Sequence, residues 1–319
     1  MAKYKMILDL DTGIDDALAI AYALATPETD LIGIIGSYGN VVTSRGVQNS
    51  LDLLELLGHP EVPVYMGADH SSTTDHFDVM PVSAQIHGVN GVGEVSLKQA
   101  DRQVETGSGI DFLISAAHQY QKDLLLVPTG PLTNLAAALD KDPEIENLIG
   151  NVTLMGGALT VPGNVTPVTE ANINQDPQAA DRVFRSSLPL TMVGLDVTTR
   201  TLLTTKETQQ WRDLGTVAGQ KYAEIVDFYI DAYKVTSPHL GGCALHDPLA
   251  VAVAVEPDLV STIYLNMKVD TKAPFAGRTI GDETRINDPA TQTQVAVNVD
   301  KERFVQEFMT KLTELFKNN

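Results

Sequence analysis

The sequence is poor in cysteine and in basic residues. Cys243 is its single cysteine, which excludes an internal disulfide framework and favours a reducing compartment. Lysine and arginine together number 22 against 41 aspartates and glutamates, so the formal net charge is −19. Nucleic acids and anionic membranes are bound by basic surfaces, and this charge balance therefore argues against both as partners.

Long apolar runs are also absent. The sequence contains no run of about 18 apolar residues, the length needed to cross a bilayer, and no charged-then-apolar leader precedes the first predicted strand. We therefore expect a soluble protein of the cytoplasm. Apolar residues make up 43% of the 319, which is enough for a large core. Since neither a repeat nor a linker interrupts the chain, we expect one domain over residues 1–319.

Short apolar segments of strand type alternate with helical patterns along the chain. Strands are predicted near residues 5–10, 30–36, 62–65, 123–128, 152–155 and 190–195, with β segments near 263–269 and 294–299. This alternation is typical of an α/β fold with a doubly wound, mostly parallel sheet and helices on both faces, here with small additional β segments near the C-terminus. Residues 205–235 are predicted as one long helical stretch, 301–317 as an amphipathic helix, and 69–107 and 160–175 mainly as long loops.

Several predicted strands end in polar residues. These residues are Asp9, Asp11, Asn40, Thr129 and Asp196. Open α/β sheets bind ligands beyond the carboxyl ends of their strands, so this coincidence predicts one binding crevice. Asp247 begins a predicted helix from which it would face the same crevice.

Aspartates crowd the junction between the first predicted strand and the first helix: Asp9, Asp11, Asp15 and Asp16. A helix N-terminus stabilises one anion by about 0.3–1 kcal/mol. Several carboxylates this close raise one another's pKa unless a cation joins them, and oxygen ligands suit Ca²⁺ or Mg²⁺. The plain alternative is helix capping by Asp15 among solvated charges, but capping explains one aspartate and not the others.

The same aspartates partly fit two other patterns. An EF-hand loop counted from Asp11 fails, because Asp16 stands where its glycine belongs. A phosphatase of the haloacid dehalogenase type also begins with a strand and Asp-x-Asp, as in Asp9-Leu10-Asp11. That resemblance is poor beyond this point, because Gly13 stands where threonine or valine is expected.

Three motifs follow one another along the chain: Asp9-x-Asp11-x-Gly13-x-Asp15-Asp16, the segment from Val161 to Asn172 followed by Asp176-Pro177, and His246-Asp247-Pro248. Together they resemble the signatures of the inosine–uridine preferring nucleoside hydrolase family. The resemblance covers most of the chain and implies hydrolysis of the N-glycosidic bond of ribonucleosides such as uridine, cytidine and inosine. It further implies Ca²⁺-bound water, an oxocarbenium-like transition state, and a homo-oligomer, either a dimer or a tetramer.

The resemblance also assigns a role to each matching residue. The Ca²⁺ ligands would be Asp11, Asp16, the Thr129 carbonyl and Asp247. Asp11 would also be the catalytic base, and His246 the proton donor to the leaving base. The residues that contact the substrate would be Asp15, Asn40, His87, Met155, Asn164, Glu170, Asn172, Tyr229 and Tyr233. Among these, Asp15 and Asn172 would grip the ribose diol, and Asn164 and Glu170 the 5′-hydroxyl, where a carboxylate would repel a 5′-phosphate.

Two positions depart from the family pattern. Thr12 replaces a common proline, and Ala171 replaces the usual aromatic residue, so the motifs do not fix the preferred base. His239 is interpreted as an ordinary surface or loop residue. The sequence leaves three alternative functions open: a hydrolase of another N-riboside such as nicotinamide riboside, a Mg²⁺ phosphohydrolase with Asp9 as nucleophile, and a non-catalytic ribose- or nucleoside-binding protein.

Overall fold

Strands and helices alternate along the chain in this computed structural model, which describes residues 3–289 and 292–319. The strands are β1 (Tyr4–Leu10), β2 (Thr29–Gly36), β3 (Val64–Met66), β4 (Leu124–Pro128), β5 (Asn151–Met155), β6 (Leu190–Val193), β7 (Leu202–Leu203), β8 (Cys243–Ala244), β9 (Val260–Val269), β10 (Thr279–Gly281) and β11 (Gln292–Val299). The helices are α1 (Ile14–Leu24), α2 (Thr43–Leu56), α3 (Pro81–His87), α4 (Gly109–Tyr120), α5 (Thr133–Lys141), α6 (Ile145–Leu148), α7 (Ala171–Gln175), α8 (Pro177–Phe184), α9 (Leu195–Thr198), α10 (Thr205–Arg212), α11 (Val217–Thr236), α12 (His246–Val255) and α13 (Lys301–Lys317).

The main sheet has nine strands in the order β10-β9-β11-β6-β5-β4-β1-β2-β3. The pairs from β3 through β1 to β6, and β6 with β11, are parallel, whereas β9 pairs antiparallel with both β11 and β10. The predicted mostly parallel sheet with added β segments near the C-terminus is therefore confirmed. Strands β7 and β8 form a separate antiparallel pair.

Helices cover both faces of the sheet, and the alternation of side chains along β1 shows why. Met6 and Leu8 are fully buried in one apolar cluster, which includes residues of α1, α11, α12 and α13. Ile7 points the other way, into a second cluster that includes residues of α4, α5 and α8. Successive residues of a strand face opposite sides, so a strand buried on both faces is apolar throughout. Among the described residues, no helix is long and apolar enough to cross a membrane.

The two predicted long loops each contain a short helix. Proline at the first position of α3 starts a helix of seven residues within 69–107. The Glu170 side chain caps α7 within 160–175. Both helices are too short to give a clear helical period in the sequence.

The predicted single helical stretch over residues 205–235 is wrong. It is two helices, α10 and α11, that pack against each other. Gly215 adopts a positive φ of 71° between them, a conformation that ends a helix, and Thr216 caps α11. By contrast, α13 has the predicted bounds.

Candidate active site

Buried carboxylates meet at the N-termini of two helices. Asp15 and Asp16 lie in the first turn of α1, and Asp247 lies in the first turn of α12. One oxygen from each of the three carboxylates lies within 4.8 Å of the other two. Because α1 and α12 pack against each other, the positive ends of both helix dipoles lie at this cluster and favour negative charge there.

Asp11 lies beside this cluster, in the turn that follows β1. Its Oδ2 accepts a hydrogen bond of 2.6 Å from the backbone N–H of Asn40, and a side chain at Gly39 would collide with that oxygen. Burial, and then the negative charge of Asp16, raises the pKa of Asp11, so these two carboxylates lie close to each other. The group of three carboxylates therefore differs from the expected set of metal ligands. It contains Asp15, which we expected on the ribose, whereas the expected ligand Asp11 lies next to it.

Asp16 is held in one orientation by its neighbours. Its Oδ2 accepts hydrogen bonds from the Gly13 N–H at 2.7 Å and from Asn40 Nδ2 at 3.2 Å. Its Oδ1 accepts a bond of 2.7 Å from the Thr129 hydroxyl. Gly13 is required here, because a Cβ would lie 2.6 Å from His87 Nδ1 and 2.7 Å from Asn40 Nδ2. The glycine thus permits three chain segments to approach one another.

The cluster carries unfavourable charge in the absence of a cation. Burial, and then the negative charge of neighbouring carboxylates, raises the pKa of Asp15 to about 8. Burial is also the main cause that raises the pKa of Asp11, Asp16 and Asp247. Such shifts are typical of carboxylates whose natural partner is a positive ion.

The unpaired atoms of the cluster fit a divalent metal. Oδ1 of Asp11 and Oδ1 of Asp15 are buried and have no hydrogen-bond partner among the described residues. Buried polar atoms are nearly always paired, so these two oxygens need an explanation. A bound cation would supply both the missing partner and the missing charge, and an all-oxygen donor set is the kind that hard divalent ions prefer. The buried Asp15, Asp16 and Asp247 group is therefore consistent with a metal site.

A chain of hydrogen bonds leads from the cluster to His246. Tyr229 donates to Asp15 Oδ2 at 3.3 Å, and its hydroxyl lies 3.5 Å from that of Tyr233. The Tyr233 hydroxyl lies 2.7 Å from His246 Nε2, and Nδ1 of the same ring lies 2.7 Å from the Thr198 hydroxyl. All these groups are buried. Thr198 was not predicted, because nothing in the local sequence marks it.

His87 approaches the cluster from α3. Its Nδ1 accepts a hydrogen bond of 3.1 Å from the Ile14 N–H, which leaves the proton of the neutral ring on Nε2. The same Nδ1 lies 3.8 Å from Asp15 Oδ1. Burial, aided by His246, lowers the pKa of His87 to about 3, and burial lowers the pKa of His246 to about 4. Both rings are therefore neutral at pH 7.

A cavity of about 560 Å³ opens above the cluster. The predicted residues that line it are Asp15, Asn40, His87, Thr129, Met155, Asn164, Glu170, Asn172, Tyr229, Tyr233, His246 and Asp247. The predicted residues Asp11 and Asp16 are buried and are not part of its lining. His239, which we interpreted as an ordinary surface or loop residue, also lines the cavity, as do Met80, Val82, Ile86 and Leu240, which the sequence did not single out.

The polar residues on one side of the cavity are held mainly by backbone contacts. Glu170 accepts hydrogen bonds from the N–H groups of Gly157, Asn172 and Ile173 at 2.9, 3.0 and 3.3 Å. Asn172 Nδ2 donates to the carbonyls of Thr129 and Met155 at 2.7 and 3.1 Å. Asn164 Oδ1 accepts from the Ala171 N–H at 3.0 Å. The Thr129 carbonyl, which we expected on a metal, is thus bonded to Asn172.

Two strand-end aspartates lie outside the cavity lining. Asp9 is fully buried, and its Oδ1 accepts a hydrogen bond of 2.8 Å from Asn134 Nδ2. A phosphohydrolase nucleophile must reach its substrate, so this position argues against Asp9 in that role. Asp196 accepts bonds from the Leu159 N–H and from the N–H and hydroxyl of Thr160, and so holds the start of the adjoining loop.

Comparison with known proteins places this arrangement in context. The sequence profile described as "Inosine-uridine preferring nucleoside hydrolase" matches residues 6–306. The chain is similar to a solved structure titled "Purine-Preferring Ribonucleoside Hydrolase from Gardnerella vaginalis", with 60% identity, a TM-score of 0.98, and coverage of 99% of this chain and 100% of that one. It is also similar to the structure titled "Plant nucleoside hydrolase - PpNRh1 enzyme", with 32% identity, a TM-score of 0.92, and coverage of 98% and 99%.

A curated protein gives a further match over nearly the full length. The pyrimidine-specific ribonucleoside hydrolase RihA of Enterobacter sp. (strain 638) is 31% identical over 310 residues, which is 97% of each chain. The related proteins thus differ in the base named in their descriptions, purine in one and pyrimidine in the other.

Proposed function

Since the chain belongs to the inosine-uridine preferring nucleoside hydrolase family and is a ribonucleoside hydrolase, we propose that it cleaves the N-glycosidic bond with the help of Ca²⁺ held by its buried carboxylates. The observation that carries this proposal is the pair of buried, unpaired oxygens of Asp11 and Asp15 beside Asp16 and Asp247. Oxygen-only sites that contain several carboxylates suit Ca²⁺, which accepts more ligands and looser geometry than Mg²⁺.

The residues that would hold the ion are Asp11, Asp16 and Asp247, together with the carbonyl of Thr129. Asp16 is already oriented by the Thr129 hydroxyl and the Gly13 N–H, which supports its place in the site. The Thr129 carbonyl accepts one hydrogen bond from Asn172 and keeps a second lone pair for the ion. When bound, Ca²⁺ supplies positive charge that lowers the pKa of a nearby water and binds the ribose hydroxyls.

Asp11 then serves as the base that takes a proton from the attacking water. Its Oδ2 is occupied by the Asn40 N–H, whereas its Oδ1 has no partner among the described residues and is available for a proton. A carboxylate fixed on one side and open on the other is oriented for proton transfer. Water attacks the anomeric carbon as the glycosidic bond breaks, and the sugar passes through an oxocarbenium-like transition state.

Asp15, Asn172, Asn164 and Glu170 would bind the ribose. Asp15 and Asn172 line the cavity beside the metal ligands and would bind the 2′- and 3′-hydroxyls. Asn164 and Glu170 line it too and would bind the 5′-hydroxyl. Glu170 is anchored by backbone N–H groups, so its carboxylate cannot move far from a 5′-phosphate. This supports a preference for nucleosides over nucleotides.

The leaving base would receive its proton through the buried tyrosines and His246, which would take up a proton from water in the cavity as they give one to the base, so the chain ends with as many protons as it began. Burial lowers the pKa of His246 to about 4, so the ring is neutral at pH 7. The ring therefore relays a proton rather than storing one. Its contact with Tyr233, and that of Tyr233 with Tyr229, supply the path.

We further propose that purine nucleosides such as inosine are preferred over uridine and cytidine. The Gardnerella vaginalis protein, described as purine-preferring, is 60% identical, whereas the pyrimidine-specific Enterobacter protein is 31% identical. The cavity of about 560 Å³ also exceeds the needs of a ribose and a single ring, and the small Ala171 in its wall adds room.

We also propose that the enzyme works in the cytoplasm as a dimer or tetramer. The single cysteine, Cys243, is buried and free, which suits a reducing compartment. Tyr264 and Ile263 on β9 are 62% and 40% exposed, and apolar side chains of this size are often covered by a partner subunit. Light scattering on the purified protein measures the oligomeric state directly.

One assay tests the main proposal. Release of reducing sugar is measured with inosine, adenosine, uridine, cytidine and nicotinamide riboside, with added Ca²⁺ and with a chelator. The expected result is ribose release from inosine above all, lost in the chelator and restored by Ca²⁺. Full activity after chelation would refute the metal, and faster release from nicotinamide riboside than from any nucleoside would favour the alternative N-riboside.

A further inference from the structure

The hydroxyl of Thr198 contacts the edge of the His246 ring that carries Nδ1, whereas Tyr233 contacts the ring at Nε2. Thr198 is the last residue of α9, directly after β6, and it is fully buried. Its Oγ1 lies 2.7 Å from His246 Nδ1, while His246 Nε2 lies 2.7 Å from the Tyr233 hydroxyl. In the described part of the chain, His246 is the only hydrogen-bond partner of the Thr198 hydroxyl.

The backbone fixes this contact from both sides. The Thr198 N–H donates to the Gly194 carbonyl at 3.1 Å. The Thr201 hydroxyl donates to the Thr198 carbonyl at 3.0 Å, and the Leu245 N–H donates to the Thr201 carbonyl at 2.8 Å. The turn that carries Thr198 is thus tied to the residue that precedes His246, so the spacing between hydroxyl and ring does not depend on the side chains alone.

We propose that Thr198 is a positioning residue that fixes the orientation of the His246 ring so that Nε2 faces Tyr233. The two nitrogens of an imidazole are distinct, and the bond made by one sets the role of the other. A ring turned by half a rotation would present carbon atoms to both partners and break the path to Tyr233. This inference rests on the proposed role of His246 in the departure of the base.

Threonine suits this task better than a flexible polar residue. Its branched side chain is stiff at χ1, and here it is enclosed on all sides, so the hydroxyl has little freedom to leave the ring. The arrangement is analogous to catalytic groups in which a third side chain orients a histidine through the nitrogen that does not act.

Two variants separate the hydroxyl from the bulk of the side chain. Thr198→Val keeps the shape and removes the hydrogen bond, and Thr198→Ser restores the hydroxyl. We expect Thr198→Val to lower kcat on inosine roughly tenfold, the effect of losing one hydrogen bond, and Thr198→Ser to recover most of it. The activated substrate p-nitrophenyl riboside, whose leaving group needs no proton, should be cleaved as in the wild type. Thr208→Val, which removes another buried hydroxyl that binds Asp227, controls for general damage.

The hydrogen bonding of the His246 ring is read from the ¹⁵N signals of its side chain, because a nitrogen that carries the proton and one that does not give signals far apart. We expect one tautomer with well-separated Nδ1 and Nε2 signals in the wild type, and signals closer together in Thr198→Val, because loss of the partner of Nδ1 lets the two tautomers mix. Unchanged signals in Thr198→Val would overturn the inference, as would equal slowing of inosine and p-nitrophenyl riboside. So would a Thr198→Val effect that persists undiminished in a His246→Ala background.

Separate measurements test the role of His246 in catalysis and the positioning of its ring by Thr198. The ¹⁵N signals are read without turnover, so they test whether Thr198 fixes the hydrogen bonding of the ring, whatever the ring does in catalysis. Equal slowing of both substrates by His246→Ala would instead overturn the proposed proton path.

Discussion

Asp11 presents one paired and one unpaired oxygen: the Asn40 N–H donates to Oδ2 at 2.6 Å, while Oδ1 is buried without a partner among the described residues. This asymmetry lets one carboxylate be oriented by the protein and still face a metal ion or a water. Asn40 also donates through Nδ2 to Asp16, so one residue aligns two of the proposed metal ligands.

Removal of a proposed metal ligand should abolish both metal binding and turnover. Asp247→Ala removes one of the three proposed carboxylate ligands from the buried group and leaves only Asp11 and Asp16, which are too few carboxylates for a divalent ion. We expect calorimetry to detect no Ca²⁺ binding to this variant and sugar release to fall to background. Asp231→Ala, which removes an aspartate that pairs with Lys234 on the surface, is the control. Ca²⁺ binding to Asp247→Ala at the affinity of the wild type would show that Asp247 is not a ligand.

Asp11→Asn should separate the role of base from that of ligand. Asparagine keeps the shape and an oxygen, but it cannot accept a proton at neutral pH. A positioned base contributes about 10²–10⁴-fold, and we expect a loss of that size in kcat at saturating Ca²⁺. Turnover within a few-fold of the wild type, with the metal retained, would assign the base to another group.

Without metal, the protein should lose stability as the pH rises above 6.5. Burial raises the pKa of Asp9 to about 7 and of Asp15 to about 8, so the folded state keeps protons that the unfolded state releases near pH 4. These two groups therefore reduce stability progressively from about pH 4 to about pH 8. The pKa of His87 is lowered to about 3 and that of His246 to about 4. These two groups increase stability as the pH rises, but only below pH 6.5, where the histidines of the unfolded state gain protons.

Thermal melting in a chelator between pH 6.5 and 8.5 measures this effect. The melting temperature should fall across that range without metal. The stabilisation by Ca²⁺ should grow with pH, because the ion binds the deprotonated carboxylates and displaces their protons. Asp15→Asn removes one of the titrating groups, so its melting temperature in the chelator should change less with pH. A wild-type melting temperature in the chelator that rises from pH 6.5 to 8.5 would contradict the raised pKa of Asp9 and Asp15.

The sheet and the carboxylates were predictable because their signals are local. The apolar run of β1 ends at Leu10, and Asp11, Asp15 and Asp16 follow within six residues, so strand polarity alone puts them at the ligand-binding edge. The helix Lys301–Lys317 was predicted to the residue, since its amphipathic period is long and Asp300 caps it.

What the sequence could not show depends on packing between distant segments. Thr198 and His246 are 48 residues apart and meet only because α9 and α12 lie side by side. Likewise, Met80, Val82 and Ile86 look like an ordinary loop until the short helix α3 turns them toward the cavity. The single glycine between α10 and α11 was too weak a signal to divide one helix into two.

Selectivity at the 5′ end should depend on Glu170. Its carboxylate lines the cavity and is anchored by the N–H groups of Gly157, Asn172 and Ile173, so a 5′-phosphate would face a fixed negative charge. We expect kcat/KM for inosine to exceed that for inosine 5′-monophosphate by at least about 100-fold, because the juxtaposition of like charges costs several kcal/mol. Glu170→Gln should reduce the ratio of kcat/KM for inosine to kcat/KM for inosine 5′-monophosphate, and it should also weaken the binding of inosine. If the wild type cleaves inosine 5′-monophosphate as fast as inosine, Glu170 does not discriminate against a 5′-phosphate.

Departure of the base should depend on the hydroxyl of Tyr233. It lies between Tyr229 and His246, so Tyr233→Phe breaks the hydrogen-bond chain while it keeps the aromatic ring and the packing. An acid that protonates the leaving base contributes about 10²–10⁴-fold, and inosine hydrolysis should slow by that factor. Nitrophenolate departs without a proton, so p-nitrophenyl riboside should be spared.

The matched control for this variant lies on the same helix. Tyr222 of α11 is fully buried, but its hydroxyl donates to the Ala17 carbonyl and takes no part in the hydrogen-bond chain that leads to His246. Tyr222→Phe thus loses a buried hydrogen bond of similar strength. We expect it to reduce stability by about 1 kcal/mol without changing the ratio of the rate on inosine to the rate on p-nitrophenyl riboside. If Tyr233→Phe left that ratio unchanged as well, the proton would reach the base by another path, through His87 or solvent, and the tyrosines would only shape the cavity.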